Sequence, residues 1–330
     1  MTKINISVIG AGTWGTAMAK LLAGKGHNVN IWAREDEVVK DINQHNENKQ
    51  FLKGVNLPKN LKAYSDINDC INNSTIIINA VPTQFIRDTF SKINKKIKTD
   101  YILSLSKGIE VNTFERPSEI LKDVLKKDVY VLSGPNFATE IASQKPAATT
   151  IAGRDKRVRK YLQQIINTQY FRVYENDDII GIEISGALKN VMAIAAGMAD
   201  AIGLGNNAKA ALITRGLNEI RKLGKKMGAK DITFLGLSGI GDLLLTCNSN
   251  ISRNYTVGYR IGRGEKIKDI ITSMNHIAEG IKTSYAVYKF SKKVDVDMPI
   301  TKEVYSVLYK DKNPKDAATS LMSRSLKPEF

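Results

Sequence analysis

VIGAGTWGTAMAKLLAGKGHNVNIWAR, residues 8–34, decides how the rest of the chain is read. Three glycines, Gly10, Gly12 and Gly15, follow an apolar run at intervals of two and three. The preceding INISVI (4–9) alternates and then turns apolar, as a central parallel strand does. Residues 13–24 put Trp14, Ala17, Met18, Leu21 and Leu22 on one stripe, which predicts a helix. GKGH stops it, and NVNIWA (28–33) reads as a second strand. This is a βαβ unit with its short right-handed crossover.

In that setting each glycine has a task. Gly10 permits a tight turn, Gly12 lets a pyrophosphate approach the backbone, and Gly15 lets helix and strand pack closely. The helix start offers free N–H groups and the positive end of its dipole to phosphates. A turn that serves packing alone is the plainer reading; the complete strand–helix–strand frame favours a dinucleotide. The Gly-Lys-Ser/Thr of a triphosphate loop is missing, which argues against ATP. The second strand ends in WARED. Arg34 there suits the extra phosphate of NADP(H), while Glu35 and Asp36 keep NAD(H) open.

Further strands are expected at 74–81, 101–107, 128–134, 147–153 and 170–176, with helices between them at 84–97 and 116–127. Such alternation predicts a doubly wound parallel sheet. Past residue 182 the pattern turns helical throughout, as in ISGALKNVMAIAAGMADAIG and NAKAALITRGLNEIRKLGKKMG. The expected division is therefore 1–182, an α/β dinucleotide-binding domain, and 183–330, an all-α domain.

Composition bounds the rest. The 330 residues are 42% hydrophobic and 25% charged, enough for two cores. The net charge of +16 is spread through segments such as KINKKIKTD, so it favours phosphorylated metabolites without selecting nucleic acid. Two distant cysteines, Cys70 and Cys247, form no disulfide framework or zinc pattern and read as buried thiols of a reducing compartment. His27, His45 and His276 share no motif spacing and read as surface or turn residues. The N-terminus runs straight into a strand, and NVMAIAAGMADAIGLG is broken by Asp200 and too short to span a bilayer. A cytoplasmic location fits. The apolar second-half helices could equally form a core or a homodimer interface.

Five ordered motifs narrow the function: SLSKGIE (104–110), SGPNFATEI (133–141), the helical stretch 184–220, GLSGIGDLLLTCNSNISRN (236–254) and AEGIKT (278–283). With the glycine fingerprint they resemble the bacterial-type NAD(P)-dependent glycerol-3-phosphate dehydrogenase family, up to about residue 285. The resemblance implies a Rossmann-type domain followed by a helical domain like the C-terminal one of 6-phosphogluconate dehydrogenase. It implies reversible conversion of dihydroxyacetone phosphate to sn-glycerol 3-phosphate, which feeds phospholipid synthesis. Lys189 matches the catalytic lysine of LKN, and Ala193 and Ala196 on its own helix face leave room around it. Lys107 and Arg253 are expected to lower its pKa by like-charge repulsion.

The other roles follow the same resemblance. Thr13, Trp14, Lys107, Ala138, Arg253, Ile277 and Glu279 join Gly10, Gly12, Gly15 and Arg34 around the cofactor. Lys107, Gly134, Asn136, Asp242, Ser252, Arg253 and Asn254 join Lys189 around the substrate. SRN (252–254) presents a hydroxyl, a guanidinium and an amide, a set suited to a phosphate. The family usually has Ser or Thr at the place of Asn136. No metal is needed, because Lys189 supplies the positive charge. Two competitors remain: a 6-phosphogluconate or β-hydroxyacid type of dehydrogenase, and a non-catalytic NAD(P)-sensing regulator that binds nucleic acid. The SRN triplet disfavours the first, and the lack of any DNA- or RNA-reading motif disfavours the second.

Overall fold

The computed structural model describes residues 3–99, 101–274, 278–326 and 328–329. The chain divides into two compact units, Met1–Lys107 with Glu115–Glu183, and Gly108–Phe114 with Ile184–Phe330. Among the described residues the first unit holds β1 (Asn5–Ile9), β2 (Asn28–Trp32), β3 (Glu47–Asn48), β4 (Leu52–Asn56), β5 (Leu61–Tyr64), β6 (Ile76–Asn79), β7 (Tyr101–Ser104), β8 (Val129–Ser133), β9 (Ala147–Ala152) and β10 (Phe171–Asn176). Eight of them form one sheet in the order β10-β9-β8-β7-β6-β1-β2-β5, and β3 pairs with β4 alone.

Both faces of this sheet are buried, which is why its central strands are mostly apolar on both sides. Ile6, Val8, Ile76, Ile78 and Leu103 point into one core, with Met18 and Leu22 of the first helix. Ile9, Ile77 and Ile102 point into the other, with Phe90, Ile120 and Leu121. The period of two along each strand delivers successive side chains to opposite layers.

The sheet is a doubly wound Rossmann-type sheet with one reversal. β9 runs antiparallel to β8, pairing Val131 with Ala152 and Ser133 with Thr150, and β10 runs parallel to β9. The β8–β9 connection contains one five-residue helix, Ala138–Ala142. The chain returns along β8 as an antiparallel pair. Other differences are local. The helix expected over 84–97 ends at Phe90, where Asn68 Oδ1 takes the Asn94 N–H at 3.0 Å and Asn68 Nδ2 donates to Lys92 O at 3.3 Å. β3, β4 and β5 carry too few alternating apolar residues to be foreseen. Of the histidines, His45 is exposed, while His27 is buried just after the turn that ends the first helix.

From Ile179 onward the described residues form helices and no strand. The helix Ile179–Ala201 begins before the pattern change at 182 and is longer than its most apolar stretch suggested. It is long and apolar enough to cross a membrane, but 89% of its most apolar 18-residue window is buried in protein, as in a core helix.

Within the second unit a buried carboxylate ties two helices together. Glu219, on the helix Gly205–Lys226, accepts the backbone N–H groups of Ile300 (2.6 Å) and Thr301 (3.1 Å) and the Thr301 hydroxyl (3.0 Å). It thus caps the helix Pro299–Lys310, whose first residue, a proline, has no N–H to satisfy. Burial pushes the Glu219 pKa up to about 7, against the pull of its N–H donors. A folded pKa above the ordinary 4.5 means that the native state holds the proton longer than the unfolded chain does. The resulting stability is fully present below the unfolded pKa and is lost as pH rises through the folded one. The free energy of unfolding is expected to fall by on the order of 2–3 kcal/mol over that window. Urea midpoints taken from about pH 5 to about pH 8 measure the slope, and Glu219→Gln is expected to remove it.

Candidate functional site

In the first unit the glycine turn follows β1 directly. Gly10 has φ +112°, and a Cβ there would stand 2.8 Å from Ala80 O. A Cβ on Gly15 would lie 1.9 Å from Gly10 O, so the helix Thr13–Gly24 starts in backbone contact with the turn. Gly12 differs: a Cβ there meets nothing within 4 Å. The helix has no side-chain cap and no acidic residue in its first turn. Open space, uncapped N–H groups and the absence of negative charge fit a pyrophosphate. Trp14 sets its ring edge-on to Phe171 at 6.4 Å, and it packs with Ala138 against Ala17, Leu52 and Ala142. Ala138 thereby opens its short helix beside the glycine turn.

Around the carboxyl ends of the parallel strands, polar groups are spent on one another. Asn79 ends β6 and is fully buried; its amide donates to Ser104 Oγ (3.1 Å) and Ser106 Oγ (2.8 Å) and accepts the Val81 N–H (3.0 Å). Lys107 Nζ donates to Gly134 O at 3.1 Å, which joins the ends of β7 and β8. Asn136 faces β9. In the amide orientation that satisfies its neighbours, it accepts from Thr149 Oγ1 (2.8 Å) and donates to Pro135 O (3.1 Å) and Ala148 O (3.3 Å). Arg34, past the end of β2, is exposed and folds back on Glu35, with Nε at 3.0 Å and Nη2 at 2.6 Å from Oε1.

In the second unit the centre is Lys189. Its side chain is 10% exposed and lies on the helix Ile179–Ala201, with Nζ 2.6 Å from Asp242 Oδ1 and 2.9 Å from Thr246 Oγ1. Thr246 Oγ1 in turn donates to Asp242 O at 2.6 Å. Asp242 is 1% exposed and starts the helix Asp242–Cys247, straight after the π-helical turn Leu237–Gly241. In that turn a Cβ on Gly239 would lie 2.1 Å from Phe234 O, so the bend needs glycine. The Asp242 carboxylate, at 2.6 Å, stabilises the positive charge of the ammonium. Burial pushes the Cys247 thiol up to about 12, and it remains a packing group.

The SRN triplet opens a second helix, Arg253–Gly262. Ser252 Oγ caps it by accepting the Tyr255 N–H (3.3 Å). Asn254 Oδ1 accepts the Gly280 N–H (2.9 Å), and Gly280 is itself packed against Asn190 O. Arg253 reaches solvent, yet the surrounding protein lowers its pKa by desolvation, with the Glu279 carboxylate opposing. Glu279 begins the helix Glu279–Lys293. Ile277 and His276 lie outside the described residues. The structure thus gathers Asp242 on Lys189, and Asn254, Gly280 and Asn190 around the neighbouring turn. Sequence reasoning missed Thr246, four residues past Asp242 on the same helix face, and Asn48, considered below.

The sequence model of the NAD-dependent glycerol-3-phosphate dehydrogenase N-terminus matches residues 5–159, and that of the C-terminus matches residues 178–319. The glycerol-3-phosphate dehydrogenase [NAD(P)+] of Staphylococcus haemolyticus is 44% identical over 334 residues, all of both chains. The chain belongs to the NAD(P)-dependent glycerol-3-phosphate dehydrogenase family. Its relative from Geobacillus thermodenitrificans is 43% identical over 99% of this chain and 96% of that one. The solved glycerol-3-phosphate dehydrogenase of Coxiella burnetii superposes with a TM-score of 0.93 at 36% identity, over 98% of this chain and 99% of that one. A ketopantoate reductase from Ralstonia eutropha, at 14% identity and TM-score 0.61, shares the fold alone.

In this dehydrogenase the SRN helix is seated by backbone contact on the lysine helix. A Cβ on Gly258 would come within 2.0 Å of Ile194 O, five residues along the helix from Lys189. Gly258→Ala must push the two helices apart. It is expected to cost at least about 2 kcal/mol, read as a lower urea midpoint, and to raise the KM for the triose phosphate.

Proposed function

We propose that the chain interconverts dihydroxyacetone phosphate and sn-glycerol 3-phosphate, and that Lys189 exchanges the proton at the substrate's central oxygen. The observation that carries this reading is the buried ammonium held by Asp242 and Thr246. A lysine in so apolar a helix is desolvated, and its charge is then effective against a developing alkoxide. Asp242 and Thr246 hold the ammonium group by two of its hydrogens and so fix its position. When bound, the reduced nicotinamide supplies the hydride.

The remaining roles divide by unit. Gly10, Gly12, Thr13, Trp14 and Gly15 take the dinucleotide at the open side of the turn, and Arg34 releases Glu35 to receive the 2′-phosphate of NADP(H). With NAD(H), Glu35 accepts from the ribose hydroxyls instead. Arg253, helped by Ser252, Asn254 and the N-terminus of their helix, holds the substrate phosphate. Lys107, just past β7, serves cofactor and substrate with Gly134, and Ala138 serves the cofactor. Asn136 shapes the wall, since its amide is engaged within its own unit. Ile277 and Glu279 serve the cofactor. Residues 1–182 carry most of the cofactor contacts and 183–330 most of the substrate contacts, in a cytoplasmic enzyme that supplies phospholipid synthesis.

Absorbance at 340 nm with dihydroxyacetone phosphate, and NADPH and NADH in parallel, tests the activity and ranks the cofactors. Lys189→Met is expected to lower kcat by at least about a thousand-fold while cofactor binding persists. Near-normal turnover in that variant would remove Lys189 from the chemistry. Arg253→Ala is expected to raise the KM for dihydroxyacetone phosphate about ten- to a hundred-fold, with a smaller change in kcat. An unchanged KM places the phosphate elsewhere.

A further inference from the structure

Asn48 lies outside every motif that identified the family, yet it is fully buried beside the glycine turn. It ends the two-residue strand β3, just after Asn46, which takes a left-handed conformation at the end of the helix Asp36–His45. Both amide hydrogens and the amide oxygen are engaged. Oδ1 accepts the Phe51 N–H at 3.0 Å, which fixes the amide's orientation. Nδ2 then donates one hydrogen to Ala11 O and the other to Thr16 Oγ1, each at 2.8 Å. Thr16 Oγ1 passes its own hydrogen to Ala11 O at 3.0 Å. The carbonyl of Ala11 therefore has two donors, both inside the protein.

A trans peptide points its C=O and its N–H to opposite sides. With Ala11 O held inward, the N–H of Gly12 must point outward. Among the described residues no acceptor meets this N–H, and a Cβ on Gly12 would meet nothing within 4 Å. We propose that Asn48, acting with Thr16, is a positioning residue for the cofactor: it locks the Ala11–Gly12 peptide in the orientation that presents the Gly12 N–H to the dinucleotide's phosphates. The inference rests on the reading that this turn holds NAD(P). Without the lock the peptide can rotate and turn a carbonyl oxygen toward the anion. The lock removes that alternative before the ligand arrives, so less binding energy is spent on ordering the loop. Thr16 sits on the helix after the glycines, whereas Asn48 comes from a separate hairpin. That hairpin is itself anchored, because Leu52 packs on Ala17 and Ala142.

The test uses the full-length chain and titrates NADH and NADPH by fluorescence. Asn48→Asp keeps the shape but turns an acceptor toward Ala11 O. It is expected to raise both dissociation constants about ten-fold or more. Thr16→Val removes the second holder and is expected to raise them about three-fold, while Thr16→Ser, which keeps the hydroxyl, stays within about two-fold of the parent. In each weakened variant the KM for the cofactor rises, and that for dihydroxyacetone phosphate stays within about two-fold. A general loosening of the fold would not produce this split. If Asn48→Asp does not fold, the Thr16 pair decides alone. Gly12→Ala, whose methyl enters open space, is the control for the underlying reading and is expected to weaken both cofactors. Weak binding by Gly12→Ala with parental binding by Asn48→Asp and Thr16→Val overturns the positioning role and leaves the cofactor turn standing. Parental binding by all three overturns both.

Discussion

A buried ammonium group cannot stand without a partner, and the second unit is organised around that requirement. Removing Lys189 from water costs several kcal/mol unless a counter-charge meets it at hydrogen-bond distance. Asp242, at 2.6 Å, is that counter-charge. It comes from a stretch 53 residues further on, so the chain must be bent to bring it there. The π-helical turn of Leu237–Gly241 makes the bend, and Gly239 permits it by passing against the Phe234 carbonyl. Thr246 completes the cage from one turn along the same helix. The glycine contacts between the lysine helix and the SRN helix serve the same end, since they hold the polar triplet at backbone distance from the helix that carries the ammonium.

The first unit solves a complementary problem. Its carboxyl-end loops are full of polar atoms, and most of these are satisfied internally. Asn79 is spent on two serines and a backbone N–H, Asn136 on Thr149 and two carbonyls, and Lys107 on the Gly134 carbonyl. Internal pairing makes these loops stiff, and stiffness determines which groups face outward. The backbone N–H groups at the start of the helix Thr13–Gly24 remain uncapped by any side chain. Selectivity for an anion thus arises from what the loops have already consumed as much as from what they leave available.

The parts legible in the sequence were those with a local signal. β1, the glycine turn, the first helix and β2 follow from periodicity and glycine spacing inside one segment. The helical second half follows from the same logic. Whatever depended on distant partners stayed hidden. The reversal of β9 lies in its pairing with β8, and AATTIAG reads alike in either direction. The end of the helix at Phe90 depends on Asn68, in another loop. In the site, Lys189 and Asp242 stood out as charged residues in apolar or glycine-rich settings, and orienting Lys189 was one of two roles open to Asp242, but nothing local fixes the geometry in which they touch. Thr246 looked like helix filler beside Cys247. Asn48 looked like one asparagine among several in QHNENKQ, because the carbonyl it holds belongs to a residue 37 positions earlier.

The segment Gly108–Phe114 follows β7 in the chain yet groups with the second unit, where Phe114 lies 5.6 Å ring to ring from Phe290 and Ile109 is buried. The polypeptide accordingly passes between units three times: at 107/108, 114/115 and 183/184. Neither half is a cassette. A gene cut after Glu183 would encode one product trailing an orphaned apolar insert and another missing a piece of its own packing. Recombination that exchanged whole halves between distant relatives would have to carry this short insert along with the larger piece, so the two units are bound to diverge together.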